Sequence, residues 1–240
     1  IVIQAESDTA ADRALEAAEN YLARRPEAVG VGQTLFRPRT IQGAVRGNPR
    51  VNLAIISVAG QYAVAEAWDA LRNELHVLLF SDNVSIEDEI ALKKYATEHG
   101  LLMMGADCGT AIINGVALGF ANAVDRGPVG IVAAAGTGLQ EVSTLLTKLG
   151  VGISQGIGTG GRDMKERVGG IMMLEGIMAL QADPQTQVLL LVSKPPSPVV
   201  TEQVLDQVKR GDKSTVVCFL GGTPEPIVAA GAIPARTLQE

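Results

Sequence analysis

Short apolar runs alternate along this chain with longer stretches of helical period, and that alternation predicts strand and helix in turn. Ile1 to Gln4 reads as a strand, and Ser7 or Asp8 caps a helix that reaches Arg24 and stops at Pro26. A strand over Asn52 to Val58, a helix over Tyr62 to Leu71 and a strand over Leu75 to Phe80 follow. Ser85 and Asp88 have capping-box spacing, so a helix is expected from there to His99, with Gly100 as its stop and a strand over Leu101 to Met104 behind it. After Pro128 the pattern restarts: strand 129–135, helix 139–148, strand 151–157, a helix near 168–180, strand 187–193, helix 199–210 and strand 215–220.

Alternation of this kind builds parallel sheets, so the expected class is α/β with two doubly wound parallel-sheet domains. A chain of 240 residues, 47% of them hydrophobic, is long enough for two cores. Ala111 to Arg126 lacks clear periodicity and carries Gly115 and Gly119. The boundary is placed there, giving a first domain over 1–115 and a second over 127–240.

The run from Gly127 to Leu146 says most about chemistry. Its apolar strand, Val129 to Ala135, breaks at Gly136-Thr137-Gly138 and passes at once into an amphipathic helix. The first N–H groups of a helix have no partner within it, and with the positive end of the helix dipole they attract phosphate or carboxylate, while glycine lets an anion approach the backbone. Such turns are also common in α/β domains because the turn is tight. Two further polar loops end successive strands: Gly158-Thr159-Gly160-Gly161-Arg162-Asp163 and Ser193-Lys194-Pro195-Pro196. Should the sheet order set these strands side by side, the loops converge on one crevice, and Arg162 and Lys194 bring cations to it. Each cation can equally be a solvated surface charge, and Arg162 can pair with its neighbour Asp163.

Charge narrows the partners. The formal net charge is −6, the sequence pI about 5.1 and the aromatic share 3%, which speaks against nucleic acid, whose binding needs a basic face and stacking platforms. No apolar run approaches the ~20 residues of a membrane span, and no signal peptide is evident, so a cytoplasmic protein with no membrane partner is expected. Cys108 and Cys218 lie far apart without metal-ligand spacing, which fits a reducing compartment and no metal site. His76 and His99 read as structural, and the methionines at 103, 104, 164, 172, 173 and 178 as core filling. The chain starts at Ile1 inside a strand-like run and is read as a fragment.

The stretches GLLMMGADCGT (100–110), GPVGIVAAAGTGLQEV (127–142), GISQGIGTGGRDM (152–164) and DPQTQVLLLVSKPP (183–196), with ISVAGQY (56–62) and FSDNVSIEDEI (80–90), occur in this order. The set resembles the α subunit of succinyl-CoA synthetase and, much more closely, the FdrA proteins of the acyl-CoA synthetase superfamily, over nearly the whole chain. The resemblance implies a CoA-binding-type Rossmann domain followed by a flavodoxin-like ligase-CoA domain, with more protein beyond both ends. It implies phosphate at Gly136 and Thr137, and CoA contacts at Ser57 to Gly60, at Ser81 to Asn83, and at Asp107 and Cys108. The family's phosphorylated histidine falls in Ile227-Val228-Ala229-Ala230-Gly231-Ala232-Ile233, at Ala229, and its supporting glutamate is replaced by Ser193-Lys194-Pro195-Pro196. Phosphohistidine chemistry is therefore expected to be lost. The glycine-rich turn of the first domain is replaced by Ala5-Glu6-Ser7-Asp8-Thr9, where Glu6 and Asp8 repel a pyrophosphate, so CoA is a possible but weak cofactor.

These readings leave no residue assigned as catalytic. The expected function, implied by the FdrA resemblance, is a carbamoyltransferase subunit joining carbamoyl phosphate chemistry to oxamate, with a phosphate-bearing substrate held by Gly136, Thr137, Gly138, Gly160, Gly161, Arg162 and Lys194. Partner subunits or a homo-oligomer are expected with it. The alternatives are an acyl-CoA ligase with another phosphate carrier, and a non-catalytic scaffold that binds CoA or an acyl phosphate.

Overall fold

A computed structural model describes residues 5–23 and 38–240. Residues 1–37 and 38–240 form separate units. In the first, α1 (Asp8–Ala23) starts with Ser7 Oγ accepting the Ala10 N–H at 3.3 Å, as its capping reading requires. The strand expected at Ile1 to Gln4, and Arg24 with Pro26, lie outside the described residues.

The second unit begins with α2 (Ile41–Gly47), which the periodicity did not reveal; Thr40 caps it by accepting the Gly43 N–H at 3.0 Å. A parallel sheet follows, ordered β1 (Leu53–Ile56), β2 (His76–Leu79), β3 (Met103–Met104). Its helices are α3 (Gly60–Arg72) and α4 (Ile86–Glu98), and Ser85 caps α4 through the Asp88 N–H at 3.0 Å. Ala63, Ala67 and Leu71 of α3 and Leu92 and Ala96 of α4 bury their apolar faces against Val77 and Leu79.

The larger sheet contains β4 (Thr110–Ile113), β5 (Val116–Gly119), β6 (Arg126–Ala134), β7 (Ile153–Gly158), β8 (Val188–Ser193), β9 (Ser214–Phe219) and β10 (Ile233–Pro234). Their order is β10-β9-β8-β6-β7-β4-β5. Helices α5 (Gly136–Lys148), α6 (Ile171–Ala182), α7 (Pro198–Arg210) and α8 (Glu225–Ala229) connect them. β6 is central and buried on both faces, which explains its unbroken apolar run. Ile131 and Ala133 face Leu139 and Val142 of α5, while Val132 and Ala134 share a core with Ile177 of α6 and Val204 of α7. Helices on both faces make this sheet doubly wound, as expected.

The segment from Ala111 to Arg126, read as aperiodic, contains regular structure. It holds a hairpin whose strands pair antiparallel from Thr110↔Gly119 to Ile113↔Val116, and β4 also meets β7 antiparallel. Asn114 and Gly115, both at positive φ (50° and 79°), form its two-residue turn, and that dipeptide was the missed signal. The hairpin spans the residues where the domain boundary was placed and belongs to the larger sheet.

Candidate functional site

Strand order decides which loops can meet. β8, β6 and β7 are neighbours and parallel, with Ala133 paired to Gly158 on one side and to Val192 on the other, so the loops after all three leave the same sheet edge together. The strand adjacency on which that convergence was conditional is present, at the carboxyl ends where doubly wound folds bind ligands.

The turn after β6 keeps open donors. Ala135 is the N-cap residue of α5, in extended conformation and with no side-chain cap, and the first bond of the ladder runs from Leu139 N–H to Ala135 O at 3.0 Å. The amides of Gly136, Thr137 and Gly138 precede that bond, so the helix has no acceptor for them. Gly136 and Thr137 are exposed, whereas Gly138 is buried. The need for glycine at 138 comes from packing, since a Cβ there would lie 2.8 Å from Val192 Cγ1; at Gly136 it would meet only Thr110 Oγ1 at 3.6 Å. Close beside the turn, Gln140 Nε2 donates to Thr110 Oγ1 at 2.9 Å. Lys194, at the end of β8, is exposed.

The turn after β7 is built differently. Gly160 has φ +88° and a Cβ on it would lie 2.3 Å from Ala106 O, so this glycine permits a close backbone crossing. Gly161 is open, its nearest side-chain atom Asp107 Oδ2 at 4.0 Å from the Cβ position, and an acidic neighbour opposes an anion there. Arg162 turns toward α4: Nη2 lies 2.7 Å from Glu89 Oε2 and donates to Val84 O at 3.0 Å. Asp163 is engaged by Lys93 rather than by its sequence neighbour, Lys93 Nζ donating to Asp163 Oδ1 at 2.7 Å. Glu89 and Lys93 had no place in the sequence reading, although their i,i+4 spacing on α4 was the signal available.

The candidate contacts of the first half divide into groups. Gly60 and Asn83 line a cavity of about 550 Å³ with Trp68, Val84 and Asp88. Ser57 instead lines a cavity of about 380 Å³ beside the exposed side of β1. Ser81 is buried and its Oγ donates to Val58 O at 2.5 Å, joining the ends of β1 and β2. The exposed Asp107 donates its amide to Ser81 O at 3.0 Å. Cys108 is only 3% exposed, and burial pushes its thiol up to about 11, so it holds no thiolate at neutral pH. Ala229 lines a third cavity, of about 510 Å³, with Pro195, Pro196, Phe219 and Ile227 beyond the ends of β8 and β9. Of the two histidines, His76 accepts the Leu102 N–H at Nδ1 (3.0 Å), and His99 stacks on Tyr95 at 3.9 Å. No helix among the described residues is long and apolar enough to cross a membrane.

No family model matches the chain. It is 54% identical over 204 residues to Uncharacterized protein YahF of Escherichia coli (strain K12), covering 85% of this chain and 40% of that protein. With the succinate–CoA ligase [ADP-forming] subunit alpha of Methanothermobacter thermautotrophicus it shares 26% identity over 147 residues, 60% of this chain and 49% of the relative. In shape it is similar to ATP citrate lyase from Methanothrix soehngenii, solved with citrate and coenzyme A: TM-score 0.72, 16% identity, 82% of this chain and 38% of that one. The chain thus spans about half or less of the length of these proteins. Its sequence is similar to the α subunits of succinate–CoA ligases, and its fold is shared with ATP citrate lyase.

Proposed function

We propose that this chain is an FdrA-like subunit of a carbamoyltransferase and that it holds the phosphate end of carbamoyl phosphate at the turn after β6. The observation that supports this reading is the set of uncapped amides at Gly136, Thr137 and Gly138, set where three parallel strands end side by side. Several N–H donors at a helix start, with Lys194 on the neighbouring strand end, suit a leaving phosphate. In transfer to oxamate the carbamoyl C–O bond breaks and a C–N bond forms, the phosphate departs with the electron pair, and the oxamate amide nitrogen releases its proton. Such a reaction rests on positioning and charge stabilisation, and it needs no phosphohistidine, in keeping with Ala229 at that position. Partner subunits would supply what the chain lacks. CoA would bind weakly, with Gly60 and Asn83 as contacts.

Kinship with CoA ligases favours a second reading, an acyl-CoA ligase with another phosphate carrier. Thermal shifts with carbamoyl phosphate, inorganic phosphate, CoA, ATP and oxamate separate the two, because a ligand of the native state stabilises by RT ln(1 + [L]/Kd). The transferase reading expects shifts with carbamoyl phosphate and phosphate and little with CoA. A shift with CoA and none with either phosphate would overturn it in favour of the ligase.

A further inference from the structure

Four charged side chains meet where α4 crosses the loop after β7, and most of that charge is out of water. Glu89, Lys93 and Asp163 side chains are each 0% exposed and Arg162 is 35% exposed. An ammonium group has three N–H donors. All three of Lys93 are used: Glu89 Oε1 at 2.7 Å, Asp163 Oδ1 at 2.7 Å and Thr159 O at 3.0 Å. Asp163 also accepts the amides of Met172 (3.3 Å) and Met173 (2.8 Å), so it caps α6 from a distance, the helix's own N-cap residue being Gly170. Arg162 closes the set against Glu89 Oε2, an ion pair in which the carboxylate oxygen receives no in-line hydrogen bond. Two acids and two bases leave the cluster neutral.

The partners are split between the two sheets. Glu89 and Lys93 belong to α4, which packs into the core of the smaller sheet, while Arg162 and Asp163 follow β7 of the larger sheet. Met172, in the first turn of α6, packs in the core of the smaller sheet and lies with its Sδ 3.3 Å from the Met103 amide. Parting α4 from the loop would leave Asp163 buried without its cation and Lys93 without two of its acceptors, and a buried charge stripped of its partner is strongly unfavourable.

We propose that Glu89, Lys93, Arg162 and Asp163 form an electrostatic latch that fixes the smaller sheet to the loop after β7, with Lys93 as the positioning residue and Arg162 as a strut between the halves. The Gly160 to Arg162 loop then owes its place to α4, and its cation is spent on Glu89 and Val84 instead of facing a ligand. The latch stands whether or not the turn after β6 takes an anion.

Cys108 reports on this seam. Its amide donates to Leu79 O of β2 at 3.1 Å, and its Sγ packs where a Cβ on Gly158 of β7 would lie 2.6 Å away. A thiol reagent reaches it only when the seam opens. With Cys218→Ala as the parent, the labelling rate of Cys108 by a disulfide reagent is measured in native buffer for the parent, Lys93→Met, Arg162→Met and Val217→Ala, the last being a core substitution in β9. Lys93→Met should label at least about tenfold faster at unchanged circular dichroism, and Val217→Ala within about twofold of the parent. Loss of the Lys93 charge disfavours the Cys108 thiolate, so electrostatics alone would slow labelling. If Lys93→Met does not fold, Arg162→Met carries the comparison, with labelling at least about threefold faster expected. Equal rates in the folded latch variant and the parent, or equal acceleration by Val217→Ala, would overturn the proposal.

Discussion

The turns after β6 and β7 look alike in sequence: each is short and glycine-rich, and each ends a buried parallel strand beside the other. In the fold they do opposite things. The first leaves the Gly136, Thr137 and Gly138 amides without acceptors in the helix, while the second is drawn across the seam, its Arg162 and Asp163 committed to Glu89 and Lys93. Glycine has a separate reason at each position as well. Gly138 yields to Val192, Gly160 to the Ala106 carbonyl, and Gly136 and Gly161 meet no neighbour closer than ordinary contact. A glycine-rich turn at a strand end thus defines where a ligand could be placed, and the fate of its donors and charges decides whether one is.

The largest effect is expected from removing a partner in the second turn. Lys93→Met should lower the urea unfolding free energy by about 3–5 kcal/mol, the usual cost of stranding a buried charge. In the first turn, Gly136→Pro tests the donors without disturbing the fold. Proline suits the first helical position, and Ala135 is already extended, with ψ 100°. It should leave the melting temperature unchanged and weaken phosphate binding by calorimetry by about 1.5–3 kcal/mol, the contribution of one hydrogen bond to a charged group. Gly138→Ala should do the reverse: its Cβ would press on Val192, so stability falls by about 1–3 kcal/mol through overpacking.

Thr137→Ala removes a hydroxyl donor that is exposed and shared with water, so phosphate affinity should fall by the ~0.5–1.5 kcal/mol of a typical net hydrogen bond while stability is left alone. The smallest effect is expected away from both turns. Burial lowers the pKa of His76 below its ordinary value of 6.5, so the unfolded chain takes up a proton first as pH falls. Stability from this group is complete above about 6.5 and declines below it, down to the lowered folded value. His76→Gln should flatten that part of a stability–pH curve measured by urea unfolding.

Much of the fold was legible because it rests on local chemistry. β6 announced itself as an apolar run buried on both faces, and Ser85 with Asp88 marked the start of α4 through the bond the structure contains. α2 went unseen because it is 7 residues long and none of them is fully buried, so it leaves little periodicity. The hairpin was hidden for a different reason: β5 is an exposed edge strand with too few buried positions to alternate, and only Asn114-Gly115 gave it away. At the site, the donors of α5 follow from the strand-to-helix transition itself. The latch does not, because Glu89 and Lys93 look like an ordinary surface i,i+4 pair until tertiary packing buries them 74 and 70 positions from Asp163 and Lys93's other partners are counted.

Anion binding at the start of α5 is read most directly by a phosphate titration followed through the backbone amide resonances of both turns. An anion held at the start of α5 predicts saturable shifts at Gly136, Thr137 and Gly138, repeated with carbamoyl phosphate, and no comparable change at Gly160 and Gly161. Shifts that saturate first at Gly160 and Gly161, or none at Gly136 to Gly138 at any phosphate concentration, would contradict it.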